Sequence, residues 1–168
     1  MKTGDIVFFK GQGLMFRVLS TLLCLFDSYW RKLKWKPWHT AIAFQFAPEG
    51  WYILEARAEG VILKYYEDDW LKEHTRAYTW LDTHPTKEQM QKLLDEYIGK
   101  PYDIAIYFWT SLAIILRHFW NHPIPKLFDD RWDCWELDAQ GMSDLGKPVI
   151  SKFDTVLITD LAKAVGIK

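Results

Sequence analysis

Three β-prone runs follow one another between residues 40 and 66 with only turn signals between them. Over residues 40–46, Thr40, Ile42, Phe44 and Phe46 share one face, while His39, Ala41, Ala43 and Gln45 share the other. Ala47-Pro48-Glu49-Gly50 is a turn signal and residues 51–57 form the next run, so the two make a hairpin. Gly60 then turns the chain into residues 61–66. Residues 5–9 are a further β-prone run, closed by Gly11 and Gly13, and residues 78–81 a last short one. The remainder reads as helix: residues 14–33, broken at Lys36-Pro37, then 86–98, 103–120, 133–140 and a few turns from Phe153-Asp154-Thr155. Thr86 with Gln89 three residues on forms a capping box, and Gly141 is expected to end the helix over 133–140. His122-Pro123-Ile124-Pro125 reads as a loop. Helices and strands are segregated rather than alternating, which predicts an α+β fold with a small antiparallel sheet or barrel packed against helices.

The 168 residues suit one domain spanning 1–168, and a hydrophobic fraction of 49% is enough for a core. A net charge of −1 argues against a dedicated nucleic-acid binder. Two cysteines can form neither a disulfide framework nor a four-cysteine zinc site. The N-terminus carries no apolar run of signal-peptide length. The apolar stretches 14–26 and 104–116 fall short of the roughly 20 residues a spanning helix needs. A cytoplasmic chain is the expectation. The anomaly is aromatic: 17% Phe, Trp and Tyr, with ten tryptophans, implies a bulky core or rings that face a ligand or lipid.

Cys134 is the first candidate for chemistry. Asp133 suits an N-cap and Glu136 follows three residues later, which puts Cys134 at the first helical position. There the helix dipole lowers a thiol pKa, whereas the charges of Asp133 and Glu136 raise it. Unpaired N–H groups of that turn suit an oxyanion. Cys24, inside Leu22-Leu23-Cys24-Leu25-Phe26, reads as core. His39 opens a strand whose small residues Ala41 and Ala43 leave room for a close-packed element, as a general base to a cysteine requires. Glu55 lies on the partner strand, where a carboxylate can orient the imidazole. If the turn centres on Pro48, Glu55 pairs opposite Ala41 on the face of His39; a slip of one residue sends it to the other face. A rival pattern, His118 and His122 four apart, has metal-ligand spacing but lacks the metalloprotease glutamate and runs into Pro123. Residues 30–38 hold four positive charges and three tryptophans, a composition suited equally to a lipid–water interface, an anionic polymer or a stacked ligand and to a solvated helix end whose lysines complement the dipole while the tryptophans pack inward.

Three segments together resemble a known family. Gly4-Asp5-Ile6-Val7-Phe8-Phe9 is similar to the GD-hydrophobic-F strand of the NlpC/P60 cysteine peptidases. His39-Thr40-Ala41-Ile42-Ala43-Phe44 resembles the strand that starts with their histidine, and Asp133-Cys134-Trp135-Glu136-Leu137 their nucleophile helix. The cysteine helix follows the strands here, as in the circularly permuted, papain-like branch that includes the YiiX-like amidases and the lecithin:retinol acyltransferase-like proteins. Leu54-Glu55-Ala56-Arg57 and Gly99-Lys100-Pro101-Tyr102-Asp103 also resemble segments of that branch. The resemblance implies a permuted papain-like fold, with Cys134 as nucleophile, His39 as base and Glu55 as orienting carboxylate. Trp38, Trp135 and Tyr102 would line the substrate, and the apolar helical segment 103–128 would be an insertion or lid. It implies an amide or ester hydrolase acting on peptide, peptidoglycan or lipid-linked acyl groups, without cofactor or metal. A lipid acyltransferase using the same residues, and a binding module on a decayed site, are the alternatives.

Overall fold

The computed structural model describes residues 1–11, 13–46, 50–79, 84–103, 106–120, 132–148 and 156–167. Five antiparallel strands form one open sheet in the order β4-β3-β2-β1-β5: β1 (Ile6–Lys10), β2 (Pro37–Phe44), β3 (Trp51–Arg57), β4 (Gly60–Tyr66) and β5 (Thr75–Tyr78). Helices are α1 (Gly13–Phe26), α2 (Ser28–Lys32), α3 (Asp68–His74), α4 (Lys87–Tyr97), α5 (Ile106–Trp120), α6 (Cys134–Asp144) and α7 (Ile158–Ala164). The chain is therefore α+β. The pairs Ile42↔Leu54, Ala43↔Ile53 and Phe44↔Tyr52 centre the β2–β3 register on residue 48. That is the register with Glu55 on the face of His39, although residues 47–49 themselves lie outside the described set.

The two sheet faces are covered differently. Ile6, Phe8, Ile42, Phe44 and Leu54 meet α1, α4, α6 and α7 in the larger core. Val7, Phe9, Ala41, Ala43, Ile53 and Tyr66 form a smaller cluster with Leu71 of α3. So the small residues Ala41 and Ala43 make room for that aromatic cluster, not for the cysteine helix. α6 instead lies over Ile42, and Gly141 allows the approach: a Cβ there would stand 2.5 Å from Ile42 Cδ1. This corrects the expectation that Gly141 ends the helix, which runs to Asp144. Packing at a helix crossing, not chain reversal, needs the glycine.

Other boundaries moved for local reasons. The helix expected over 14–33 is two, because Asp27 caps a new start by accepting from Tyr29 N–H at 2.8 Å and Trp30 N–H at 3.2 Å. Pro37 begins β2 rather than merely ending a helix, since the first residue of a strand tolerates a missing N–H. β5 lies earlier than residues 78–81, and Leu81 is outside the described residues. α3 was not expected; its acidic start (Asp68, Asp69) and basic end (Lys72, His74) are the dipole signature that marks it. The capping box of Thr86 and Gln89 is present. α5, the described part of segment 103–128, packs along α1, and Arg117 pairs with Asp160 of α7 at 2.8 Å. The predicted helix start at 153–155 and the loop 122–125 lie outside the described residues; α7 begins at Ile158.

Candidate active site

β2 and β3 pair only over three positions, yet β2 reaches back to Pro37 and β3 forward to Arg57. Beyond Ile42 the ladder between the two strands lapses, and His39 and Glu55 lie in that stretch. A bulge sits beside it: Phe9 pairs with His39 but Lys10 with Pro37, leaving Trp38 as the extra residue. Bulges bend a strand and re-aim its side chains.

His39 and Glu55 meet there, Nε2 to Oε2, at 2.8 Å. Glu55 is fully buried. Its other oxygen accepts from the Tyr66 hydroxyl at 2.9 Å and lies 2.8 Å from Arg57 Nε in an ion pair. Arg57 also donates to the Tyr66 oxygen at 2.7 Å. Burial alone would raise the Glu55 carboxyl, but His39 and Arg57 outweigh it and hold it below the usual range. Burial, then the Glu55 charge, pushes the Tyr66 phenol up. Among the described residues, Glu55 is the only hydrogen-bond partner of the His39 ring, so Nδ1 has none. Phe9 tilts against the ring at 5.1 Å.

Cys134 stands on the α6 side of β2 with Ile42 and Phe44, whereas the His39 ring lies against Phe9 on the side of Ala41 and Ala43. The Cys134 carbonyl accepts from the Thr40 hydroxyl at 3.2 Å, one residue along from His39. The short segment before α5 helps to fix it, since Trp132 N–H donates to the Pro101 carbonyl at 3.0 Å and Tyr102 bridges to Trp132. Asp133 caps the helix, its Oδ1 accepting from Trp135 N–H and Glu136 N–H at 2.6 and 2.9 Å. Those two donors are thereby occupied. The thiol is buried and no hydrogen bond joins it to His39. Burial first, then the Asp133 charge, pushes its pKa well up, while the Thr40 backbone N–H pulls weakly down. The dipole argument for a lowered thiol pKa is thus overturned: desolvation at 5% exposure dominates.

Asp138, one turn after Cys134, carries no signal in the sequence. It is fully buried, and neither carboxylate oxygen has a hydrogen-bond partner. Burial chiefly, with the charges of Asp133 and Glu55, raises its pKa well above the usual range; Thr40 opposes this, but its hydroxyl proton is already given to the Cys134 carbonyl. As the neutral acid, Asp138 can donate to the Thr40 oxygen. A carboxyl raised on folding contributes stability below its unfolded pKa, about 3.9, that is lost as pH climbs toward the folded value. Asp138→Asn is therefore expected to match the wild type in acid and exceed it by about 1–3 kcal/mol at neutral pH. Denaturant unfolding at both pH values is the check.

The aromatic candidates separate. Trp38 is half-buried, edge-on to Trp135 at 6.4 Å and to Phe16 at 5.7 Å. Trp135 is core at 5% exposure, and Tyr102 is half-buried and bridges to Trp132, two residues before α6. Trp30 is also core, its indole N–H on Ser20 Oγ at 3.2 Å, and Trp35 lies under the Arg76 guanidinium. Cys24 is partly buried against the larger core. His118 packs on Phe26 at 4.9 Å; its rival partner His122 is outside the described residues. No protein-family model and no curated protein matches this sequence.

Proposed function

We infer that the chain is a cysteine hydrolase of an amide or ester bond, built as a permuted papain-like domain. The observation that carries this reading is the His39–Glu55 pair at 2.8 Å, on the strand whose next residue, Thr40, holds Cys134. The order His39, Glu55, Cys134 along the chain, resembling the permuted NlpC/P60 branch, supports it. Nε2–H on Glu55 leaves Nδ1 as the free base, on the imidazole nitrogen that can take a proton.

The thiol rests neutral, so its proton leaves as attack occurs. Cys134 Sγ bonds to the substrate carbonyl carbon while His39 Nδ1 takes the proton. The oxyanion takes the Cys134 N–H. His39 returns the proton to the departing amine or alcohol, and Glu55 offsets the imidazolium charge meanwhile. Water, deprotonated by His39, then cleaves the thioester and restores the thiol. An acyltransferase would differ only in admitting an alcohol or amine in place of water.

Intact-mass analysis after incubation with an activated aryl ester tests the reading. The expected result is a single acyl adduct, mapped to Cys134, that forms faster in folded protein than in a urea-denatured control. Equal or slower labelling when folded would identify Cys134 as a structural thiol and favour a binding module, a role for which its burial is the ordinary condition.

A further inference from the structure

α1 carries apolar residues on both sides, yet the core uses one side of it. Leu19 and Leu23 are inward, at 1% and 4% exposure. Leu14, Val18 and Leu25 are outward, at 75%, 47% and 61%. With Arg17 and Thr21 these outward residues form one stripe at helical spacing. Phe119 of α5, 60% exposed, stands beside the end of α1, its ring 5.5 Å from that of Phe26. Scattered exposed leucines are ordinary; an aligned row on a helix whose other side is already buried is a second face awaiting a non-aqueous partner.

Charge selects the partner. Arg17 stands within the stripe, and Arg31, Lys32 and Lys34 follow at the end of α2, all exposed. None of the four has a carboxylate partner among the described residues. The one carboxylate of α1–α2, Asp27, caps α2 and faces Lys163 at 3.8 Å. A helix of 14 residues is about 21 Å long, too short for a hydrocarbon core of about 30 Å but suited to lying in the headgroup plane. We propose that the outer face of α1, with Phe119 and the cations of α1–α2, docks on an anionic lipid surface. Of the tryptophans of residues 30–38, Trp30 is buried and Trp35 and Trp38 are half-buried, so α1 supplies the main apolar contact. Docking itself does not rest on the thiol chemistry.

Vesicle flotation decides it, using phosphatidylcholine alone and mixed with phosphatidylserine. The full chain is expected to float with the mixed vesicles, at least about tenfold less with phosphatidylcholine alone or in high salt. Leu14→Gln/Val18→Gln/Leu25→Gln and, separately, Arg31→Glu/Lys32→Glu/Lys34→Glu should each lower binding by about tenfold or more while circular dichroism stays unchanged. Two variants of opposite chemistry guard against one that fails to fold. Cys134→Ser should still float, and a wild type that floats yet is not acylated at Cys134 overturns the hydrolase alone. The apolar triple variant should still turn over a soluble ester. Docking is overturned if the wild type ignores the mixed vesicles, or if either triple variant binds like the wild type. It is also overturned if the wild type is a dimer that the apolar variant dissolves, since a second copy then covers the face.

Discussion

Cys134→Ser is expected to abolish turnover of an activated ester, and His39→Ala to slow it by about 10²–10⁴-fold. The two losses differ in kind. A serine hydroxyl keeps the shape but is far less nucleophilic than a thiol, so no acyl adduct forms. Alanine at 39 leaves the nucleophile and removes only the base, so external imidazole should restore part of the rate. The raised thiol pKa sets the pH dependence. Alkylation of the wild type should climb with pH through neutrality into the alkaline range, without the low-pH plateau of a preformed thiolate. Asp133→Asn keeps the cap, since asparagine serves as well at that position. It removes the second cause of the shift, so its alkylation profile should move to lower pH. An unchanged profile would mean burial acts alone. Full ester turnover by Cys134→Ser would end the nucleophile assignment.

What the sequence discloses depends on whether a feature is local. The strand runs 51–57 and 61–66, the Thr86 cap and the Asp133–Cys134 helix start each rest on a few adjacent residues, and all are present. The meeting of His39 with Glu55 needed a register that the residues left open, because a turn can be centred on Pro48 or half a step beyond it. Pairing of Ile42 with Leu54 resolves it, and that pairing is a tertiary outcome. Which helix covers which face was not legible. Alternation divides a strand into two faces, but it does not say that α3 takes the Ala41 side and α6 the Ile42 side. Asp138 was invisible for the same reason: an aspartate in a polar-looking helix signals nothing until the helix is laid against Thr40. The direction of the thiol pKa stayed open in the sequence because dipole and neighbouring charges are read from one turn, while desolvation comes from everything packed around it.

Glu55→Ala should be the most destabilising substitution of this set. The carboxylate is fully buried and serves His39, Arg57 and Tyr66 together. Removing it leaves an uncompensated guanidinium and a buried phenol without its acceptor, at a cost of about 3–5 kcal/mol. With about 2–4 °C per kcal/mol in a domain near this size, the melting temperature should fall by about 6–20 °C. Glu55→Gln keeps the shape and one acceptor oxygen, so it should fold at a cost of about 1–2 kcal/mol. It cannot offset an imidazolium charge, and ester turnover should fall by about 10²-fold despite retained structure. The pH dependence separates the electrostatic part. Glu55 is held below its ordinary range by His39 and Arg57. A carboxyl depressed on folding gives stability that is present above its unfolded pKa, about 4.3, and lost as pH falls through the folded value. The advantage of the wild type over Glu55→Gln should therefore be constant near neutral pH and shrink on acidification below about pH 4. Urea unfolding of both proteins across that interval measures it. An advantage that persists unchanged in acid would mean the carboxylate holds the strands by shape rather than by charge, and its part in orienting His39 would need another explanation.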